Sequence, residues 1–311
     1  MKAPSHRLRA CEITLELGER PLLMGIVNAS PDSFSDGGLH ATLDAQLRLA
    51  SKLQEDGADI LDIGGESAST GLPPVEAQRE IERVAPLIER VTGELGALVS
   101  VDTYKPAVAE AAIEAGARIV NDVSGLRDLG LAEVCARSGA ALVLMHTRAA
   151  PRERLQDPNL YRDVTEEVLQ FLGERVELAL AHGVDREHLI LDPGPDFAKT
   201  PAQTIRLLSE IERLHELGRP LLLAISRKDF IGALTDRSPR ERSAGTLAAL
   251  AHGLDHGGHI FRLHDVAAAR DFIAVLDALA AESSPGRDLA LSEELRYDRP
   301  AADQPAPPSV G

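Results

Sequence analysis

Eight short apolar runs, at residues 24–28, 60–67, 99–103, 119–122, 142–146, 189–194, 221–228 and 260–265, each end in a polar or charged signature. A continuously apolar run with a polar terminus is the pattern of a strand buried on both faces, and its repetition with helical segments between implies a parallel sheet. Eight such units predict an α/β chain folded as a (β/α)8 TIM barrel. In that architecture the loops after the strand ends converge on one face, so Asn28, Asp62, Asp102, Asn121, Asp192, Lys228, Arg262 and His264 are expected to meet there.

Between the runs lie amphipathic segments at 42–55, 74–91, 106–114 and 160–181, followed by Gly57, Gly93, Gly116 and Gly183 as C-cap signals. One barrel of about 250 residues with extensions accounts for the length. The expected organisation is residues 1–20 as a strand or hairpin at the barrel bottom, 21–282 as the barrel, and 283–311, rich in Ser, Pro, Asp and Ala, as a disordered tail. A net charge of −16 and 3% aromatic residues argue against a nucleic-acid surface, which needs clustered Lys and Arg. Cys11 and Cys135 fit neither a disulfide framework nor a metal knuckle and read as idle thiols of a reducing cytosol. No apolar stretch approaches the ~20 residues needed to cross a bilayer, and residues 1–7 lack the apolar core of a signal peptide. The expectation is a cytoplasmic protein with neither membrane nor nucleic-acid partners.

Asp102, Asn121, Asp192 and Lys228 combine acceptors, an amide edge and a cation, a set suited to a flat, hydrogen-bonding heterocycle such as an aminopyrimidinone. Any one aspartate alone reads equally well as the N-cap of the next helix. Arg262 and His264, leaving the last strand beside Asn28, suit an anion, and Asn28 can give a neutral oxygen to a Mg²⁺ that bridges phosphates. The competing reading of Arg262 is a structural ion pair with Asp265 or Asp236. Loop one, residues 29–38, is small, polar and glycine-terminated, which suits a segment that closes over a ligand.

The residues also carry a resemblance. Met24-Gly25-Ile26-Val27-Asn28 with Pro31-Asp32-Ser33-Phe34-Ser35-Asp36-Gly37-Gly38, Asp62-Ile63-Gly64-Gly65-Glu66-Ser67, Ser100-Val101-Asp102-Thr103, Asn121-Asp122-Val123, Met145-His146, Asp192-Pro193-Gly194, Ser226-Arg227-Lys228 and Arg262-Leu263-His264-Asp265-Val266 resemble the dihydropteroate synthase family, in order from residue 22 to about 280. The resemblance implies joining 6-hydroxymethyl-7,8-dihydropterin diphosphate to 4-aminobenzoate, with Mg²⁺ as cofactor. It implies Asp32, Asp36, Lys228 and Arg262 as catalytic residues. Asp102, Asn121, Asp192, Phe197 and Lys228 would hold the pterin, Arg262 and His264 the diphosphate, and Asn28 the metal. It further implies a homodimer, for which the Ala- and Leu-rich segment 243–254 is a candidate face.

The sequence departs from the family pattern at named places. Where the family continues Thr-Arg-Pro-Gly, this chain has Ala68-Ser69-Thr70-Gly71, so synthase activity requires that Ser69, Thr70 or a loop arginine such as Arg148 compensate. Asp196 stands at a family glycine, and Asp229 at a small or basic position near which the family places the aminobenzoate carboxylate. A carboxylate there repels an anionic second substrate, which makes a catalytically weak, pterin-binding paralogue the alternative. A folate-dependent methyltransferase would share the barrel but not loop one or Ser226-Arg227-Lys228. A metal-dependent barrel hydrolase needs a His-x-His pair where Asn28 stands.

Overall fold

Residues 3–29, 42–66, 74–280, 289–292 and 295–296 are described by a computed structural model. The chain opens with an antiparallel hairpin, β1 (His6–Ala10) and β2 (Ile13–Leu17). Its alternating sequence gives one wet face and one apolar face. Leu8, Ala10 and Leu17 on the apolar face are at most 1% exposed and pack with Leu22, Met24, Ile60 and Ile190 at the base of the main sheet.

That sheet holds the eight predicted runs: β3 (Leu22–Asn28), β4 (Ile60–Gly64), β5 (Leu98–Asp102), β6 (Ile119–Asp122), β7 (Ala141–Met145), β8 (Leu189–Asp192), β9 (Leu222–Leu223) and β10 (Ile260–Leu263). Neighbours run parallel in the order β8-β7-β6-β5-β4-β3-β10-β9. The ring closes where Leu191 bridges Leu221 and the Leu191 N–H donates to Pro220 O at 2.9 Å. β9 is shorter than its apolar run, because pairing with β10 stops at Leu223.

Around the barrel lie α1 (Leu43–Glu55), α2 (Ala77–Leu95), α3 (Pro106–Glu114), α4 (Gly130–Ser138), α5 (Val164–Ala181), α6 (Pro201–Ser209), α7 (Asp229–Thr235) and α8 (Ser243–Asp255), and α9 (Val266–Ala280) follows β10 in the chain. Two expected boundaries move for local reasons. α2 runs through Gly93 and stops at Gly96, whose φ of 62° provides the left-handed cap. α5 begins after Asp163, whose carboxylate accepts the N–H groups of Thr165 and Glu166.

The chain divides into two compact units, Met1–Asp271 and Phe272–Gly311. In the second, the described residues are the end of α9 and the segments 289–292 and 295–296, so most of the expected tail lies outside the described residues. No helix among the described residues is long and apolar enough to cross a membrane. Cys11 and Cys135, distant in sequence, line one cavity of about 430 Å³ beside the hairpin tip.

Parallel register decides which polar termini become neighbours. Asn28 stands opposite Gly64, Gly64 opposite Asp102, and Asp102 opposite Asn121, which makes one row across the top of four strands. The hairpin seals the opposite end. Truncating its anchor, Leu8→Ala, is therefore expected to cost about 2–5 kcal/mol of stability. A urea melt checks this, and an unshifted midpoint would show that the hairpin is not part of the core.

Candidate active site

The row of strand termini surrounds one cation. Arg262, on β10, donates from Nε to Asp62 Oδ2 at 2.6 Å and from Nη2 to Asp102 Oδ2 at 2.7 Å. Asn121 Nδ2 donates to the same Asp62 oxygen at 3.1 Å. The partners of Arg262 are thus two carboxylates inside the mouth, in place of the alternative pair with Asp265 or Asp236. Burial pushes the Asp102 carboxyl up, Arg262 pulls it back, and the Asp62 charge adds to the rise. Asp62 Oδ1 is buried and has no protein partner among the described residues, which marks it as an acceptor for a ligand donor.

Asp192 closes the circle from β8. It is 2% exposed, and its Oδ1 accepts the Gly194 N–H at 2.7 Å. Burial pushes its carboxyl up to about 6, opposed by that hydrogen bond and by Lys228, Lys199 and Arg262. Gly194 is required here, because a Cβ on it would lie 2.1 Å from His146 O. Beyond it the backbone is unusual: Asp196 and Ala198 hold φ of 66° and 52°, and Arg227 in the facing loop holds 58°. Such non-glycine positions cost about 1–3 kcal/mol each and persist only where their surroundings fix them. These turns aim Phe197 and Lys228 at one another, with Lys228 Nζ 4.4 Å from the Phe197 ring centroid.

The departures from the family pattern are engaged with one another. Asp196 Oδ1 accepts the Thr204 hydroxyl at 3.0 Å, and Oδ2 accepts the Asp229 N–H at 2.5 Å. The Asp229 carboxylate itself faces Arg242 Nη1 at 3.1 Å, so it does not present a bare charge. Around loop two, Glu66 Oε1 accepts from Tyr104 at 3.1 Å and Arg152 at 3.0 Å, while Lys105 reaches Glu66 Oε2 at 2.5 Å and also Glu80. Among the described residues Lys105 and Arg152 are the cations that reach Glu66. Arg148 turns instead to Leu160 O and Glu167.

His264 is placed at the mouth, but as a neutral group. Burial, with Arg227, Arg262 and Lys228 nearby, lowers it to about 3. Its Nδ1 lies 2.9 Å from Ser226 Oγ, which also accepts the His264 backbone N–H, an arrangement that leaves Nε2 free to carry the ring proton. The anion-binding role expected of His264 would then be that of a neutral N–H donor. Asp122, adjacent to Asn121, caps its own loop by accepting the N–H groups of Ser124 and Leu126.

Asn28 ends β3, half-buried. Among the described residues no cluster of three or more His, Cys, Asp or Glu side chains could cage a metal. What Asn28 offers is one neutral oxygen, which fits an ion carried mainly by phosphate oxygens and water. Asp32, Asp36, Ala68 and Ser69 lie outside the described residues. Sequence reasoning placed Asp62 at the mouth and Glu66, His146 and Ser226 within family motifs, without giving any of them a role of its own. Lys199 was missed altogether, because its signal lay only in three-dimensional proximity.

Comparison with known proteins follows this geometry. The profile of the family described as pterin binding enzyme matches residues 24–264. The dihydropteroate synthase of Bacillus subtilis is 44% identical over 266 residues, 85% of this chain and 90% of that protein. That of Streptococcus pyogenes serotype M3 is 42% identical over 260 residues, 83% of this chain and 95% of that protein. Xanthomonas albilineans dihydropteroate synthase, solved with 4-aminobenzoic acid, has a TM-score of 0.82 at 43% identity and covers 90% of this chain and 100% of that one. The same enzyme in complex with 7,8-dihydropteroate gives 0.78 at 42% identity, covering 88% and 100%.

The raised Asp192 carboxyl predicts a stability signature. A group that binds its proton more tightly when folded costs nothing below its ordinary value of 3.8 and imposes its full cost above about 6. Asp192→Asn keeps an oxygen for the Gly194 N–H and removes the buried charge. It is expected to raise Tm by about 2–4 °C near pH 8. The gain should vanish below about pH 4. Differential scanning calorimetry at both pH values checks it, and a variant less stable at the higher pH contradicts the assignment.

Proposed function

The chain belongs to the dihydropteroate synthases of the pterin-binding enzyme family, and from that premise we propose that it joins 6-hydroxymethyl-7,8-dihydropterin diphosphate to 4-aminobenzoate, releasing 7,8-dihydropteroate and diphosphate. The observation that carries this reading is a set of acceptors from four strands, the buried Asp62, Asn121 and Asp192 and the half-buried Asp102, gathered with Arg262 and Lys228. A pterin ring offers paired N–H donors along one edge and a carbonyl beside them. A carboxylate accepts such a pair in bidentate fashion, and Lys228 supplies the donor and cation. Arg262 holds Asp62 and Asp102 in place to receive the other ring edges.

In the reaction the C–O bond between the pterin methylene and diphosphate breaks, and the amine nitrogen forms the new C–N bond and loses a proton. Because the departing group takes the electron pair, the site has mainly to hold the ring, orient the amine and stabilise negative charge. His264 Nε2–H is a neutral donor suited to a phosphate oxygen. Within the mouth Asp62, Asp102 and Asp192 offset Arg262 and Lys228, so the diphosphate charge calls for a further cation. That balance supports a Mg²⁺ held by Asn28 and the substrate, which supplies Lewis-acid stabilisation of the leaving group when bound. The family resemblance and the Ala-rich α8 support a homodimer through residues 243–254, to be read by analytical ultracentrifugation.

The weak-paralogue alternative is not favoured, since relatives named dihydropteroate synthase are 40–44% identical over at least 80% of the chain. A coupled assay of diphosphate release tests the choice. Turnover is expected only with both substrates present, and pterin binding without turnover would favour the paralogue. Lys228→Ala is expected to lower kcat/KM by about 10²–10³. Activity unchanged in that variant would remove Lys228 from the site.

A further inference from the structure

Lys199 is among the largest fully buried side chains of the described residues, at 0% exposure, and the chemistry above does not use it. An ammonium has three N–H donors and no acceptor. The structure supplies three acceptors: His146 Nδ1 at 2.8 Å, Gly194 O at 2.9 Å and Phe197 O at 3.1 Å. His146 is 1% exposed, and burial lowers its ring to about 2, so Nδ1 offers a lone pair and the ring proton sits on Nε2. Burial also lowers Lys199, to about 7, against the pull of Asp192.

The three bonds span the loop that follows β8. Gly194 follows Asp192 by two residues, and its amide holds the Asp192 carboxylate. Phe197 lies under Lys228. His146 begins the loop after β7, and its own N–H donates to Asp192 O at 2.9 Å. One ammonium therefore ties together the backbones that set the positions of Asp192, Phe197 and Lys228, in a loop whose Asp196 and Ala198 hold left-handed backbone conformations. Without it, the Phe197 carbonyl and the His146 Nδ1 lose this donor, and the buried Gly194 carbonyl keeps only the Phe197 N–H at 3.1 Å.

We propose that Lys199, anchored on His146, is a positioning residue for the pterin pocket, fixing the β8 loop so that Asp192 and Phe197 meet the ring. The inference rests on the pterin-binding reading above. It acts on the first substrate, so its effect should divide between the two substrates.

The test is titration of 6-hydroxymethylpterin into the full chain, with steady-state KM values for both substrates and Tm for each variant. Lys199→Met keeps the length and removes the donors. It is expected to weaken pterin binding at least tenfold while KM for 4-aminobenzoate stays within twofold. His146→Asn places an amide oxygen where Nδ1 lies and is expected to stay within threefold of wild type, whereas His146→Leu loses at least fivefold. The histidine pair keeps the question open to measurement should Lys199→Met fail to fold. Wild-type pterin affinity in Lys199→Met with a lowered Tm, an equal rise in both KM values, or equal behaviour of His146→Asn and His146→Leu each overturns the proposal. A wild-type protein that does not bind the pterin overturns the functional reading itself, and the proposal with it.

Discussion

The sharing of one guanidinium between two carboxylates in the barrel mouth is the interaction on which the site depends. Asp62 is fully buried, and an isolated carboxylate at such depth costs several kcal/mol. Arg262 offsets this by bonding Asp62 and Asp102 together, and Asn121 completes the shell of the shared oxygen. The arrangement is possible only because parallel register stacks Gly64, Asp102 and Asn121 in a row. A Cβ at Gly64 would meet Asp102 Cβ at 3.5 Å, an ordinary contact, so register rather than the glycine sets that row. Charge and register are one solution to one problem, which is to keep polar groups dry and still available to a ligand.

A second consequence concerns net charge. The mouth carboxylates Asp62, Asp102 and Asp192 also offset the field of the cations around them. A site built in this way suits a polar heterocycle better than a polyanion. On the proposed function the leaving group would be best served at the rim, where Asn28 and the neutral His264 stand.

Much of the fold was legible because each strand is buried on both faces and so reads as an uninterrupted apolar run. The same periodicity placed the site at the polar ends of those runs. Legibility failed where the determinant is a distance. Arg262 was readable as a cation at the mouth, but its partners at positions 62 and 102 are fixed by strand order, which no local pattern encodes. Lys199 gave no signal in the sequence, since its three acceptors lie in two loops that meet only in the folded chain. The lowered His264 ring was equally illegible, because burial among Arg227, Arg262 and Lys228 is a property of the folded chain. α2 outran Gly93 because that glycine meets open space, while the conformation that ends the helix occurs at Gly96.

The unusual residues of this chain make sense as a set more than one at a time. Asp196 in a left-handed backbone position is costly by itself, yet its carboxylate accepts both the Thr204 hydroxyl and the Asp229 N–H and so joins the β8 and β9 loops. Asp229 adds a negative charge beside it, and Arg242 meets that charge while also donating to the carbonyls of Arg227 and Lys228. The side chain of Arg242 in turn occupies the space beside Gly232, where a Cβ would lie 2.2 Å from Nη2. Each departure is thus balanced by the next, and the chain of contacts ends on the backbone of Lys228. Residues that look adverse for an anionic substrate when taken singly act together to hold the lysine that faces the ring.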